Sequence, residues 1–178
     1  LNMLINVDNI AAIQHQQIRV VLRTNFSIDH NVSRFGFDVE STDFVNALSL
    51  INDLPNVHLS GLHCHFPNRD LDSFRKRVEG LLRLCNRLFP NEAPEVLNIG
   101  GGFFSSLPTS LRQSIANVPA SFDDYGKAIG HLLTEAFPDP DHSPTLFLEP
   151  GTALVADVLT FYTQVVSTKN VRGRYFAT

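Results

Sequence analysis

Strand-like and helix-like segments take turns along roughly the first 150 residues of this chain, and no other feature limits its fold as tightly. Short apolar, β-branched runs are separated by stretches whose apolar residues recur at helical spacing, the pattern of βα units on a parallel sheet. A strand is expected over Leu4–Val7, then a short helix over Asp8–His15. Ile18–Arg23 reads as the next strand, and Ser41–Leu54 as a helix with Phe44, Ala47, Leu48 and Ile51 on one face and Ser41 or Thr42 as N-cap. Val57–Phe66 reads as a strand. Leu71–Leu88 is the clearest amphipathic helix, with Phe74, Val78, Leu81, Leu82 and Cys85 aligned. Val96–Ile99 reads as a strand, Phe122–Phe137 as a helix and Thr145–Glu149 as the last strand of the series.

Past Gly151 the pattern changes. Ala156–Ser167 is β-branched and aromatic, and Asn170-Val171-Arg172-Gly173 reads as a turn between strands, which is hairpin chemistry. The expectation is therefore an α/β chain: a partial (β/α) barrel domain over residues 1–154 and the start of an antiparallel β domain over 155–178. About five barrel-type strands are present where a closed (β/α)₈ barrel has eight and about 250 residues. Together with termini that read as strand interiors, this predicts the back half of a barrel, truncated at both ends.

Composition narrows the partners. With 43% apolar and 18% charged residues the chain reads as an ordered globular segment. A net charge of −4 offers no electrostatic reason to expect nucleic acid or an anionic membrane surface. No apolar run approaches the roughly 20 residues of a membrane span. Two cysteines, Cys64 and Cys85, are too few for a disulfide framework, so a reducing cytoplasm is expected.

In a parallel barrel the chemistry stands at the C-terminal ends of the strands. Arg23 ends one strand and is followed by the loop Ser33-Arg34-Phe35-Gly36; it can hold an anion or form a surface ion pair. His63 and His65 share one face of their strand and Cys64 takes the other. Three readings stay open for the pair: a zinc site, an imidazole lying on an aromatic cofactor, or two core histidines satisfied by backbone groups. Gly100-Gly101-Gly102 follows a buried strand directly. It is either a flexible turn or a loop whose N–H groups approach a phosphate. Glu149 ends the last strand and needs a partner if buried, either a protonated ring nitrogen or an arginine such as Arg23.

Four motifs, Ser33-Arg34-Phe35-Gly36, Gly61-Leu62-His63-Cys64-His65, Leu97-Asn98-Ile99-Gly100-Gly101-Gly102-Phe103 and Leu148-Glu149-Pro150-Gly151, stand in the order and rough spacing of one family. The chain resembles the back half of the ornithine/diaminopimelate/arginine decarboxylases, fold-type III enzymes that use pyridoxal 5′-phosphate (PLP) on an alanine-racemase-like barrel. The resemblance implies that His65 stacks on the pyridine ring, Gly101 and Gly102 bind the phosphate, Arg23 lines the pocket and Glu149 pairs with the ring nitrogen. Alanine racemases of this fold place an arginine at the last position, so Glu149 favours decarboxylation over racemisation. The cofactor-facing set is thus Arg23, His65, Asn68, Gly101, Gly102, Glu149, Gly151 and Thr152, with no metal.

The sequence departs from the family at three points. Phe66-Pro67-Asn68 replaces a Gly-Ser phosphate contact, and Thr152 replaces a phosphate-binding arginine, leaving Asn68 and Thr152 as neutral donors. The Schiff-base lysine is missing: Lys76 and Lys127 fall in helices and Lys169 in a hairpin turn. The family's catalytic cysteine and aspartate also belong to other segments. The resemblance implies a homodimer acting on an amino acid, with diamino acids the usual substrates. Two rivals remain: a non-catalytic decarboxylase-like regulatory or binding protein, which the altered phosphate contacts permit, and a zinc hydrolase built on His63 and His65.

Overall fold

The computed structural model describes residues 1–29, 33–104, 120–155, 158 and 162–178. Five parallel strands form one sheet in the order β2-β1-β3-β4-β5: β1 (Ile18–Asn25), β2 (Phe37–Asp38), β3 (Val57–His63), β4 (Val96–Gly101) and β5 (Thr145–Glu149). Helices α2 (Thr42–Asp53), α3 (Leu71–Leu88) and α4 (Phe122–Ala136) lie between them in sequence. β1, β3, β4 and β5 are neighbours in chain order, as successive βα units require. A second, two-stranded antiparallel sheet pairs β6 (Thr168–Val171) with β7 (Arg174–Ala177). This is the partial barrel with a C-terminal antiparallel sheet that the sequence pattern implied.

The core lies between the sheet and its helices. Leu22, Leu62, Leu97 and Ile99 from the strands meet Phe44, Ile51, Phe74, Val78 and Leu81 from α2 and α3, all buried. Helices α2, α3 and α4 each start at a side-chain cap. Ser41 accepts from the Phe44 N–H at 3.2 Å, Asp70 from the Ser73 N–H at 2.8 Å, and Ser121 and Asp124 form a reciprocal capping box. On α3 the buried stripe carries Leu84 where Leu82 was expected, and Leu82 is half-buried. The stripe also takes in Ser73 and Arg77.

The structure corrects several expectations. Leu4–Val7 is not a strand: one helix, α1 (Asn2–Gln14), runs through it. No Gly or Pro interrupts residues 2–14, so a helix begun over Asp8–His15 gains one hydrogen bond for each residue it extends. It stops at His15, whose φ of 51° is left-handed and whose N–H caps α1 carbonyls. β3 ends at His63 rather than Phe66, so His65 stands on the loop beyond it. Of the strand expected over Ala156–Ser167, residues 156, 157 and 159–161 lie outside the described residues, and 162–167 carry no strand. Lys169 lies within β6, not in the turn. The hairpin itself is observed. Its turn is Arg172-Gly173, with φ of 52° and 81°, the positive pair that a tight two-residue hairpin demands.

Candidate cofactor site

The strand register sets the site. Arg23 pairs with His63, His63 with Asn98 and Asn98 with Phe147, so one row of side chains crosses β1, β3, β4 and β5 on the same face. The register then slips between Asn98 and Gly101, which brings Gly101 opposite Glu149. A bulge of this kind re-aims the strand end. At Gly100, with φ of 72°, a Cβ would stand 2.6 Å from the Cys64 carbonyl oxygen, and at Gly101 it would stand 2.0 Å from that of Glu149. Close strand packing therefore demands glycine at both positions. Gly102 differs: its φ of 95° favours glycine, while an added Cβ would make only ordinary van der Waals contact, 3.6 Å from Arg69 Cγ and from the Asn68 carbonyl oxygen.

Two hydrogen-bonding groups and a further imidazole converge on the Glu149 carboxylate. Asn98 Nδ2 donates to Oε1 at 2.9 Å, His65 Nδ1 lies 2.9 Å from Oε2, and His63 Nε2 stands 3.4 Å from Oε1 without hydrogen-bond geometry. Burial pushes the Glu149 carboxyl up, but the hydrogen bonds from His65 and Asn98 and the two imidazoles more than offset it, so its pKa lies below the ordinary value. The group stays ionised at neutral pH. His63 moves the other way from full protonation: burial lowers its pKa, with Glu149 opposing and Arg23 and His65 adding to the fall. The Cys64 thiol, buried on the opposite face, is pushed up to about 12 and stays protonated.

The predicted residues distribute as follows. His65, Glu149, Gly101 and Gly102 come together at one end of the sheet. Arg23 stands one row below, with Nη2 3.5 Å from the His65 carbonyl oxygen, its guanidinium over the Phe35 ring and a buried Nε without a partner. The Arg23–Glu149 ion pair left open by the sequence is not formed; the histidines and Asn98 take its place. Gly151 has φ of 51°, and exposed Thr152 opens a one-turn helix directly after β5. Asn68 contributes its backbone carbonyl, which accepts from Arg77. The ligand atoms of His63, His65 and Glu149 lie within 4.8 Å of one another, so the metal reading gains a carboxylate where it lacked further donors.

Two residues carry more of the site than their sequence pattern indicates. Asn98 bridges it: its Nδ2 holds Glu149, while its Oδ1 accepts from the Gly100 N–H at 2.8 Å. Arg77 on α3 is fully buried and donates to the carbonyls of Ile99, Gly101, Phe66 and Asn68. It ties the glycine loop to the loop after β3. A charged residue on the stripe Phe74-Arg77-Val78-Leu81 was the available signal, because a polar residue on a buried helix face needs a reason to be there.

The arrangement fits a phosphorylated aromatic cofactor. An ionised carboxylate, an imidazole 37% exposed and a positive-φ glycine line one end of a parallel sheet. His65 Nδ1 can give its proton to Glu149 or accept the Gly101 N–H at 3.4 Å, but not both. The shorter, charge-assisted contact to Glu149 leaves the Gly101 N–H available to an anion.

Comparison with known proteins points to the same cofactor. Residues 2–156 match the family model "Pyridoxal-dependent decarboxylase, pyridoxal binding domain". A diaminopimelate decarboxylase of Bacillus methanolicus is 27% identical over 182 residues, covering 93% of this chain and 40% of the relative. The chain thus spans about two-fifths of that relative's length. Among solved structures, diaminopimelate decarboxylase of M. jannaschii in co-complex with L-lysine superposes with a TM-score of 0.70 at 22% identity, over 99% of this chain and 42% of the other. The arginine decarboxylase of Paramecium bursaria Chlorella virus gives 0.58 at 17% identity, over 96% and 44%. The family match covers nearly the whole chain and its cofactor is pyridoxal 5′-phosphate, so this chain belongs to the pyridoxal-dependent decarboxylases and carries part of their pyridoxal-binding domain.

Proposed function

We propose that this chain forms part of the cofactor wall of a PLP-dependent amino-acid decarboxylase, with a diamino acid as substrate. The observation that carries the reading is the ionised Glu149 carboxylate at the end of β5, opposite the glycine loop and held by His65 and Asn98. Bound PLP supplies an electron sink that accepts the pair left behind when CO₂ departs. The chain's own residues prepare that sink. Glu149 would hold a proton on the ring nitrogen, Asn98 would fix the carboxylate's orientation, and His65 would lie against the ring. Arg23, with its unpartnered buried Nε, would line the pocket, and Gly101 and Gly102 would take the phosphate, with Asn68, Gly151 and Thr152 at its rim.

The lysine that carries the cofactor lies outside these residues. Lys76 pairs with Asp29 and Asp72 on the outer side of α3, Lys127 lies in α4 and Lys169 in β6, so none ends a parallel strand. Residues 155–178 would begin a second domain, and the natural-length protein would work as a homodimer. The relatives' names support a diamino acid in general and none in particular.

The test uses the protein at its natural length, incubated with PLP. A visible absorbance band that borohydride fixes covalently, with CO₂ released from a diamino acid, is the expected result. In Glu149→Gln, turnover should fall on the order of a hundredfold while the band persists. A folded protein with no such band would sink the reading in favour of a non-catalytic relative. Stoichiometric zinc lost on His65→Ala would favour the hydrolase instead.

A further inference from the structure

Arg77 is a buried cation without a carboxylate. Its side chain is fully inaccessible, yet no Asp or Glu stands within ion-pair distance among the described residues. Its guanidinium donates through Nη1 to the carbonyls of Ile99 at 3.2 Å and Gly101 at 2.7 Å. Through Nη2 it donates to Phe66 at 2.9 Å and to Asn68. Phe74 lies beneath it, 4.0 Å from ring centroid to Cζ, and Nε has no partner. Carbonyl dipoles and a ring face soften the charge but do not cancel it, and burying an uncancelled charge is costly.

Its location gives that cost a purpose. Two acceptors, Ile99 and Gly101, lie at the end of β4 and two, Phe66 and Asn68, on the loop after β3, the segments on either side of Gly102; Nη2 lies 3.8 Å from where a Cβ on Gly102 would be. Carbonyls drawn inward onto Arg77 hold both loops in one arrangement and place a fixed positive charge behind it. Asn68 and Thr152, the residues proposed above for the phosphate rim, bring no charge. The other nearby cation, Arg69, is exposed and lies over the Phe104 ring at 5.7 Å.

We infer that Arg77 is a positioning residue that supplies, from beneath the glycine loop, the positive charge for the cofactor's phosphate. This rests on the PLP reading above. Arg77 does not touch the phosphate: its Nη1 and Nη2 are committed to carbonyls and its Nε is buried, so it acts through the loops and through its field. The reading separates charge from scaffolding. A structural arginine would affect PLP and unphosphorylated pyridoxal alike, whereas a charge for the phosphate affects PLP alone.

The experiment measures equilibrium binding of PLP and of pyridoxal to the natural-length protein, in wild type, Arg77→Met, Arg77→Lys and Arg69→Met, with melting curves to confirm folding. The expected result is a roughly ten- to hundredfold loss of PLP affinity in Arg77→Met, with pyridoxal affinity nearly unchanged. Arg77→Lys, which keeps the charge, should retain the preference for PLP and decides the matter if the Met variant does not fold. An unchanged preference in Arg77→Met overturns the inference alone, as does equal weakening of both ligands, or loss of preference in Arg69→Met instead. Failure of both Arg77 variants to fold assigns the residue to scaffolding and overturns it too. A folded wild type that binds neither ligand overturns the inference and the functional reading together.

Discussion

Glu149 and His63 lie side by side yet respond to acid in separate windows. His63 is mostly buried, 16% exposed, and its pKa lies below 6.5, so below that pH the unfolded chain binds a proton that the folded one refuses. Stability should therefore fall as pH drops from about 7 towards the lowered pKa. Glu149 has a depressed pKa, so its contribution is full above 4.5 and is lost only as pH falls through the lower folded value. His63→Gln should flatten the first slope and, by removing one of the imidazoles that hold the Glu149 pKa down, weaken the second. Melting temperatures between pH 7.5 and 5.5 check this, and a variant that keeps the wild-type slope would place the titration elsewhere. The role of Glu149 was legible at this scale, since a carboxylate ending an apolar strand must find a partner. The choice of His65 and Asn98 over Arg23 was not, because a register slip of one residue in β4 sets it.

Among the elements, α3 does the most. Its boundaries follow from the Asp70 cap and the helical spacing of its apolar residues, and it runs over Leu71–Leu88 as expected. Its outer side carries Lys76 with Asp72, and its inner side meets β3, β4 and α4. Phe74, fully buried, packs against Phe103 at 4.6 Å and Tyr125 at 4.7 Å between ring centroids and also bears on Arg77. Phe74→Ala should cost about 3–5 kcal/mol, measured by denaturant unfolding, because the surrounding rings cannot collapse fully into the space. A loss under about 1 kcal/mol would mean that the cluster repacks. The element that misled was α1. Met3–Val7 has strand-like composition over five residues, but short apolar runs do not distinguish strand from helix, and continuity with the following residues decides.

For the molecule as a whole, protection is expected to be uneven. The strands β3 and β4 are covered by α3 and by each other, whereas every residue of β5, β6 and β7 is exposed. An isolated two-stranded ribbon is marginal in water. Hydrogen exchange on this chain should find β3 and β4 slowest and the β6–β7 hairpin fast. A slowly exchanging hairpin would mean that another surface covers it.

The sequence alone determined the alternation of the main strands and helices from Ile18 onward, the parallel sheet, the Ser41 cap of α2, the hairpin turn and the motifs that mark a pyridoxal-binding domain. Those are local properties, set by periodicity, capping chemistry and glycine spacing. Only the tertiary structure decided which side chains meet: the Glu149–His65–Asn98 cluster, the packing need for Gly100 and Gly101, and the four carbonyls around Arg77. These depend on strand register and on which face of a helix turns inward, and both are settled by packing between segments far apart in the chain.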